Sequence, residues 1–274
     1  MLFVIVEFAF GFVANSTALL ADAGHNLADV LGLLLAWGAA ALSMRAPNGR
    51  FTYGLRSSSI LAAIANAMLL LVACGGIAWE AAQRFAQPPA VAGVTVSLVA
   101  GVGILVNGLS AWLFAAGRHA DLNIRGAYLH MAADAAVSLG VAVAGLAMRA
   151  SGWFWIDPAV SLIVLAVIVF GTWGLLRDSL TLALHAVPAT VDLAAIEAYL
   201  RSLPGVTAIH DLHVWGMSTT ENALTVHLVL PDGYPGDEYM DAVATALRSV
   251  HRIQHSTLQI ERGSTDHACG LTRA

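Results

Sequence analysis

Val160-Ser161-Leu162-Ile163-Val164-Leu165-Ala166-Val167-Ile168-Val169-Phe170 carries no charge, and neither does any other position between Asp157 and Arg177. A helix rises about 1.5 Å per residue, so an apolar run of roughly 20 residues crosses the hydrocarbon of a bilayer. Outward from this segment, at 154–177, five further apolar runs end at charge, Pro or Asn: 1–15, 19–44, 57–83, 91–117 and 123–149. Their connectors are short, such as Ala46-Pro47-Asn48-Gly49-Arg50 and Gln87-Pro88-Pro89. Composition agrees: of 274 residues 58% are hydrophobic and 11% charged, against about 25% charged in an average soluble domain. Such a chain cannot hide its apolar surface in one water-facing globule, and an integral membrane protein with six spanning helices is expected. Disorder, collagen-like repeats and a disulfide scaffold are excluded, the last because Cys74 and Cys269 are the only cysteines.

The first run is short and starts at Met1 without a basic flank or a cleavage region. Either the natural start lies upstream or this helix begins inside the bilayer. Arg placement sets the orientation. Arg45, Arg50, Arg56, Arg118, Arg125 and Arg177 follow even-numbered spans, and only Arg84 and Arg149 follow odd ones. Both termini are therefore expected in the cytoplasm, with a bacterial inner membrane as the setting.

Charge also divides the chain. Residues 1–180 hold 8 Arg and 8 acids, whereas 181–274 hold 5 Arg and 10 acids, so the whole net charge of −5 lies in the last third. An acidic tail without a basic stripe repels phosphates, which excludes nucleic acid as a partner. The expected divisions are a transmembrane domain at 1–180, a cytoplasmic domain at 185–262 and a tail at 263–274.

Ionisable residues inside membrane spans cost a few kcal/mol each, and so call for a partner or a function. His25 and Asp29 in the second span, and His130 and Asp134 in the fifth, form two copies of His-x-x-x-Asp. An i,i+4 spacing puts imidazole and carboxylate on one helix face. For one copy alone, an intrahelical His–Asp hydrogen bond is the simpler reading. Two copies at equivalent depth favour convergence on one ion, because two nitrogens and two oxygens make a four-coordinate set that zinc accepts. Two carboxylates and two neutral imidazoles also cancel the charge of Zn²⁺, which lowers the cost of holding it away from water.

Three stretches together resemble the cation diffusion facilitator family. They are Asn15-Ser16-Thr17-Ala18-Leu19-Leu20-Ala21-Asp22-Ala23-Gly24-His25, Asn123-Ile124-Arg125-Gly126-Ala127-Tyr128-Leu129-His130 and His210-Asp211-Leu212-His213-Val214-Trp215. The resemblance implies a dimeric metal/proton antiporter with six transmembrane helices and a ferredoxin-like or metallochaperone-like cytoplasmic domain. It also implies that His25, Asp29, His130 and Asp134 are the transport site, with zinc as the ion and cadmium or cobalt as alternatives. His210, His227 and Glu261 match the family's regulatory zinc positions. A long His-rich loop between the fourth and fifth spans is replaced by Arg118-His119-Ala120-Asp121, and Thr52-Tyr53-Gly54-Leu55-Arg56 is followed by serines rather than an acid. Asp22, one turn before His25, is expected near the extracytoplasmic mouth of the ion path. Glu7 resembles a recurrent family glutamate, with helix packing as the plainer role. Asn66 and Asn107 are expected to hydrogen-bond between helices, and Asp157-Pro158 to cap the sixth.

Beyond residue 185 the hydrophobic period changes. Helical spacing at 191–203 and 239–250, with alternation at 207–217, 223–230 and 256–261, gives the order αββαβ. The fold class is thus an all-α six-helix membrane bundle with a small α+β domain. About 75 residues is close to the lower limit for independent stability, so dimerisation helps. Seven of the ten histidines lie between His185 and His267. Simple alternation puts His213 on the opposite face from His210. Two acidic domains side by side repel each other, and metal at their junction lowers that repulsion.

Together these features imply secondary active export of Zn²⁺ in exchange for protons, with His25 and His130 as the groups that trade proton for metal. No nucleotide-binding loop is present and no cofactor is required. Two other readings use the same residues: a membrane metal sensor without transport, and an intramembrane zinc hydrolase. The hydrolase needs an open coordination position and a general base, and the chain has no His-Glu-x-x-His element; an enzyme is not expected.

Overall fold

A computed structural model describes residues 1–116 and 122–263, with the backbone alone for 122–127. The connector 118–121, the side chain of Arg125, and the tail from 264 with His267 and Cys269 lie outside the described residues. The membrane part holds helices α1 (Leu2–Val13), α2 (Thr17–Ser43), α3 (Ser58–Ala86), α4 (Gly93–Ala115), α5 (Leu122–Ser151) and α6 (Ile156–Ala183). Five are long and apolar enough to cross a membrane, and α1 is shorter. The C-terminal part adds α7 (Leu193–Arg201), β1 (Ala208–Gly216), β2 (Asn222–Val229), α8 (Asp237–Ser249) and β3 (His255–Glu261). One difference from the sequence reading is that α6 continues past Arg177 to Ala183. Charge marks where water begins, and Arg, Leu and Thr continue a helix into it without a break.

The chain forms two compact units, residues 1–35 with 65–175, and residues 36–64 with 176–274. In the first, large side chains such as Leu33, Trp112 and Phe170 point outward while small ones such as Ala14, Ala18, Ala21 and Ala100 are buried. That inversion suits a lipid solvent, where helices associate through close packing rather than by escaping water. Helices α4 and α5 approach closely at a glycine pair. A Cβ on Gly93 would lie 2.4 Å from the Gly145 carbonyl, and one on Gly145 would lie 2.6 Å from the Gly93 carbonyl. Ser97 locks the contact by donating to Ala142 O at 2.8 Å.

Asp157 is expected to cap its own helix, but α6 already begins at Ile156 and the aspartate carboxylate serves another helix. Its fully buried carboxylate accepts hydrogen bonds from the Ser16 hydroxyl, from Thr17 N at 2.6 Å and from Thr17 Oγ1 at 2.7 Å. It therefore caps α2 from α6, neutralising the helix-start donors of α2 that lipid could not satisfy. The expected interhelical bonds of the two asparagines differ from what is found: Asn66 Oδ1 and Asn107 Nδ2 have no partner among the described residues. Asn66 instead packs against Gly32 of α2, where a Cβ would come within 2.8 Å of its Nδ2.

In the second unit the sheet order is β1-β2-β3, with β1 antiparallel and β3 parallel to β2. A parallel neighbour requires a crossover, which α8 supplies. Ile196, Leu200, Leu224, Val226, Leu228 and Leu247 fill the core. Asp192 caps α7 by accepting from Ala195 N at 3.0 Å. Register corrects one expectation. His210 pairs with His227 and His213 with Thr225, with a bulge between them, centred on Asp211 at φ +54°. The extra residue resets the alternation, so His213 shares a face with His210 instead of opposing it. The α2–α3 connection belongs to this unit too: Arg56 is ion-paired with Glu221, and Ser57 Oγ donates to Met217 O at 3.2 Å.

Asp157→Ala leaves three donors at the start of α2 unanswered. Each buried orphan costs about 1–3 kcal/mol, so a loss of roughly 3 kcal/mol or more is expected in reversible unfolding of the detergent-solubilised protein; an unchanged midpoint would show that α2 needs no cap from α6.

Candidate metal centres

Residues 25 and 29 on α2 and 130 and 134 on α5 meet as a ring of side chains in which imidazoles alternate with carboxylates, Asp134 turning a different oxygen toward each histidine. His25 Nε2 lies 3.2 Å from Asp134 Oδ1 and 3.7 Å from Asp29 Oδ2. His130 Nε2 lies 3.3 Å from Asp29 Oδ2 and 3.7 Å from Asp134 Oδ2. The cross-helix pairs are shorter than the pairs within each helix, so the two His-x-x-x-Asp units face each other and do not close on themselves. The imidazoles stand edge to face, centroids 6.0 Å apart. For donors about 2.0–2.1 Å from a tetrahedral ion, neighbouring donors stand roughly 3.3–3.4 Å apart, and the observed distances bracket that value.

The pairs Asp22–Ser138, at 2.9 Å, His25–Asp134 and Asp29–His130 climb α2 while descending α5. The helices thus run antiparallel, in register through their polar side chains. Asp134 is nearly sealed at 3% side-chain exposure, whereas His130 is 45% exposed, so the ring is open on one side. Asp134 Oδ2 and His25 Nδ1 are buried without a hydrogen-bond partner among the described residues. A buried carboxylate oxygen without a donor is costly, and a cation inside the ring would answer it. Asp22, expected near a mouth, is instead fully buried, as is Glu7.

A second cluster forms on the exposed face of the sheet. Glu261 bridges two imidazoles, with Oε2 2.9 Å from His210 Nε2 and Oε1 2.9 Å from His227 Nδ1. His210 and His227 are opposite each other across β1 and β2, with ring centroids 4.9 Å apart. Two further members were not anticipated. Gln259 Nε2 donates to Glu261 Oε1 at 2.7 Å, and Asp211 reaches His213 Nε2 at 3.0 Å and His227 Nε2 at 3.5 Å. Asp211 gets there because the bulge puts it in the left-handed region, which aspartate tolerates better than most residues. Desolvation works to raise the Glu261 carboxyl; hydrogen bonds from Gln259 and His210, with the charges of His210 and His227, outweigh it and hold the pKa below the usual carboxylate value. Donor atoms of His25, Asp29 and Asp134, and of His210, His227 and Glu261, lie close enough within each set to hold a metal ion.

Comparison with known proteins agrees with this architecture. The profile described as "Cation efflux transmembrane domain" matches residues 1–182, and that described as "Cation efflux protein, cytoplasmic domain" matches 188–263. The "Cation efflux system protein CzcD" of Alcaligenes sp. (strain CT14) is 34% identical over 267 residues, spanning 97% of this chain and 84% of its own length. The "Cadmium, cobalt and zinc/H(+)-K(+) antiporter" of Bacillus subtilis (strain 168) is 34% identical over 269 residues, 97% of this chain and 86% of its own. The "Zinc transporter ZitB" of Escherichia coli (strain K12) is 36% identical over 261 residues, 94% of this chain and 83% of its own. Six helices with an αββαβ domain define the class as an integral membrane protein with a small α+β module. The chain belongs to the cation efflux, or cation diffusion facilitator, family, a family of transporters rather than enzymes.

Because the folded Glu261 carboxyl sits below its ordinary value of 4.5, it contributes stability above that pH, lost as pH falls through the folded value. Metal-free wild type should therefore lose more melting temperature on acidification across this range than Glu261→Gln; parallel pH profiles would contradict the ion-pair assignment.

Proposed function

We propose that this protein exports Zn²⁺ from the cytoplasm across a bacterial inner membrane in exchange for protons, with His25, Asp29, His130 and Asp134 as the transport site. The ring of donors at 3.2–3.7 Å carries the reading. The names of the relatives support it: one is a zinc transporter and another an antiporter for cadmium, cobalt and zinc. Cadmium and cobalt fit the same donors, and nitrogen with carboxylate oxygen favours zinc.

The chemistry follows from the donors. Zinc binds imidazole only when the ring nitrogen is unprotonated, so metal and proton compete at His25 and His130. Charge balance drives the competition: the two carboxylates need two positive charges, supplied by one Zn²⁺ or by two protons on the imidazoles. Either filling leaves the site near neutrality in lipid, while an empty, fully ionised site is strongly disfavoured. A rearrangement of the bundle that opens the site to the other face then lets an acidic exterior replace metal with protons. Asp22 shares a helix face with His25 and extends the ion path beyond the ring.

His210, His227 and Glu261 form the regulatory site of a cytoplasmic dimerisation domain. Metal between acidic domains removes repulsion and favours the closed dimer, linking cytoplasmic zinc to transport. Orientation follows from the arginines after even-numbered spans, which place both termini in the cytoplasm.

Asp134→Ala and His25→Ala are expected to abolish proton-linked zinc uptake into inverted vesicles while the dimer survives in detergent. Uptake at the wild-type rate would overturn the site, and zinc binding without flux in the wild type would instead identify a sensor. His227→Ala is expected to shift the cytoplasmic zinc concentration at half-maximal flux roughly 10-fold and leave the maximum rate within about 2-fold; complete loss of flux would overturn the division of labour.

A further inference from the structure

One buried polar group in the first unit has no part in holding the ion. Glu7 on α1 and Asp22 on α2 are both fully buried, and Glu7 is hydrogen-bonded to Asn26, one turn beyond Asp22 on the same face of α2, so the two carboxyls are neighbours. Each receives a single neutral donor from elsewhere: Asn26 Nδ2 donates to Glu7 Oε2 at 2.9 Å, and Ser138 Oγ donates to Asp22 Oδ2 at 2.9 Å. The other two oxygens, Glu7 Oε1 and Asp22 Oδ1, are buried with no N–H or O–H to accept from among the described residues. Two carboxylates cannot hydrogen-bond to each other, since each only accepts. With one proton between them, the pair gains a donor and the charge falls from two to one in a low-dielectric interior.

Among the described residues the surroundings offer no other source of positive charge for Glu7. The groups that bear on the pair are Asn26 and His25 from α2 and Ser138 and Asp134 from α5. Helix α4, whose Gly103 packs against Ser138 and Phe3, contains no titratable residue. A metal ion is a poor occupant, because Asn26 turns its amide nitrogen toward Glu7 and the Ser138 hydroxyl proton is aimed at Asp22, so both donate where a cation needs acceptors. Of the two acids, glutamic acid is intrinsically the weaker, and Asp22 lies nearer the positive charge that His25 can carry, so the proton belongs on Glu7.

We propose that Glu7 and Asp22 form a proton-sharing carboxyl pair, with Glu7 carrying the proton, as a proton-binding site of the membrane domain separate from the four metal ligands. The pair stands whether or not the quartet transports zinc. If it does, the proton inventory of the membrane domain includes one proton that the imidazoles do not hold.

Infrared difference spectroscopy of the full-length protein in lipid at neutral pH tests this. Wild type is expected to show the carbonyl stretch of a protonated carboxylic acid, shifted in D₂O, and Glu7→Gln to lack it, because the glutamine amide supplies the donor to Asp22 that the proton supplied before. Asp22→Asn removes the same band by the same logic and serves if Glu7→Gln does not yield folded dimer. A wild-type spectrum without the band, or a variant spectrum that keeps it at full amplitude, overturns the proposal. Zinc flux is a separate readout, so failure of the pair and failure of the quartet remain distinguishable.

Discussion

A carboxylate surrounded by lipid and protein must find positive charge or donors, and that requirement organises the membrane domain. Water cannot provide them, and each unanswered group costs several kcal/mol. Asp157 answers with three donors from the start of α2. Asp29 and Asp134 answer with two imidazoles from opposing helices. The helices are tied where their polar residues meet, because between apolar helices in lipid packing alone gives little preference for one register over another. The proposed function draws on the same need, since a pair of aspartates that needs two positive charges can take them as metal or as protons.

The frame that holds those residues is built from small side chains and end caps. Gly93 and Gly145 let α4 and α5 approach to backbone contact, and α5 then presents His130, Asp134 and Ser138 to α2. The cap from Asp157 fixes where α2 begins, and with it the heights of Asp22, His25 and Asp29. A shift of α2 by one residue would rotate these side chains by about 100° and break all three cross-helix pairs. Steric fit sets the neighbours and polar pairing sets the register.

Much of this was readable from the chain. The spans were legible because charge, Pro and Asn interrupt the apolar runs, and the αββαβ order because period 2 and period 3.6 alternate cleanly after residue 185. The four membrane residues stood out because ionisable side chains are rare in such runs and these repeat at one spacing. What escaped depends on partners distant in sequence. Asp157 looked like a cap for its own helix because sequence shows only the neighbours it has in the chain. Simple alternation puts His213 on the wrong face because a bulge is a property of strand pairing. His210-Asp211-x-His213 did hold a hint, since aspartate is one of the few residues that tolerates the left-handed conformation a bulge uses. Gln259 carried no signal of its own, as its role exists only once β3 lies beside β2.

The claim on which the account rests is that two nitrogens and two oxygens from α2 and α5 surround one divalent ion. X-ray absorption at the zinc edge reads that shell directly, on full-length protein carrying His210→Ala, His227→Ala and Glu261→Ala and loaded with one zinc per chain. The account predicts four light-atom neighbours at about 2.0–2.1 Å, with the outer-shell scattering pattern of two imidazoles. A shell with one imidazole or none, or failure to bind zinc at all, would contradict it.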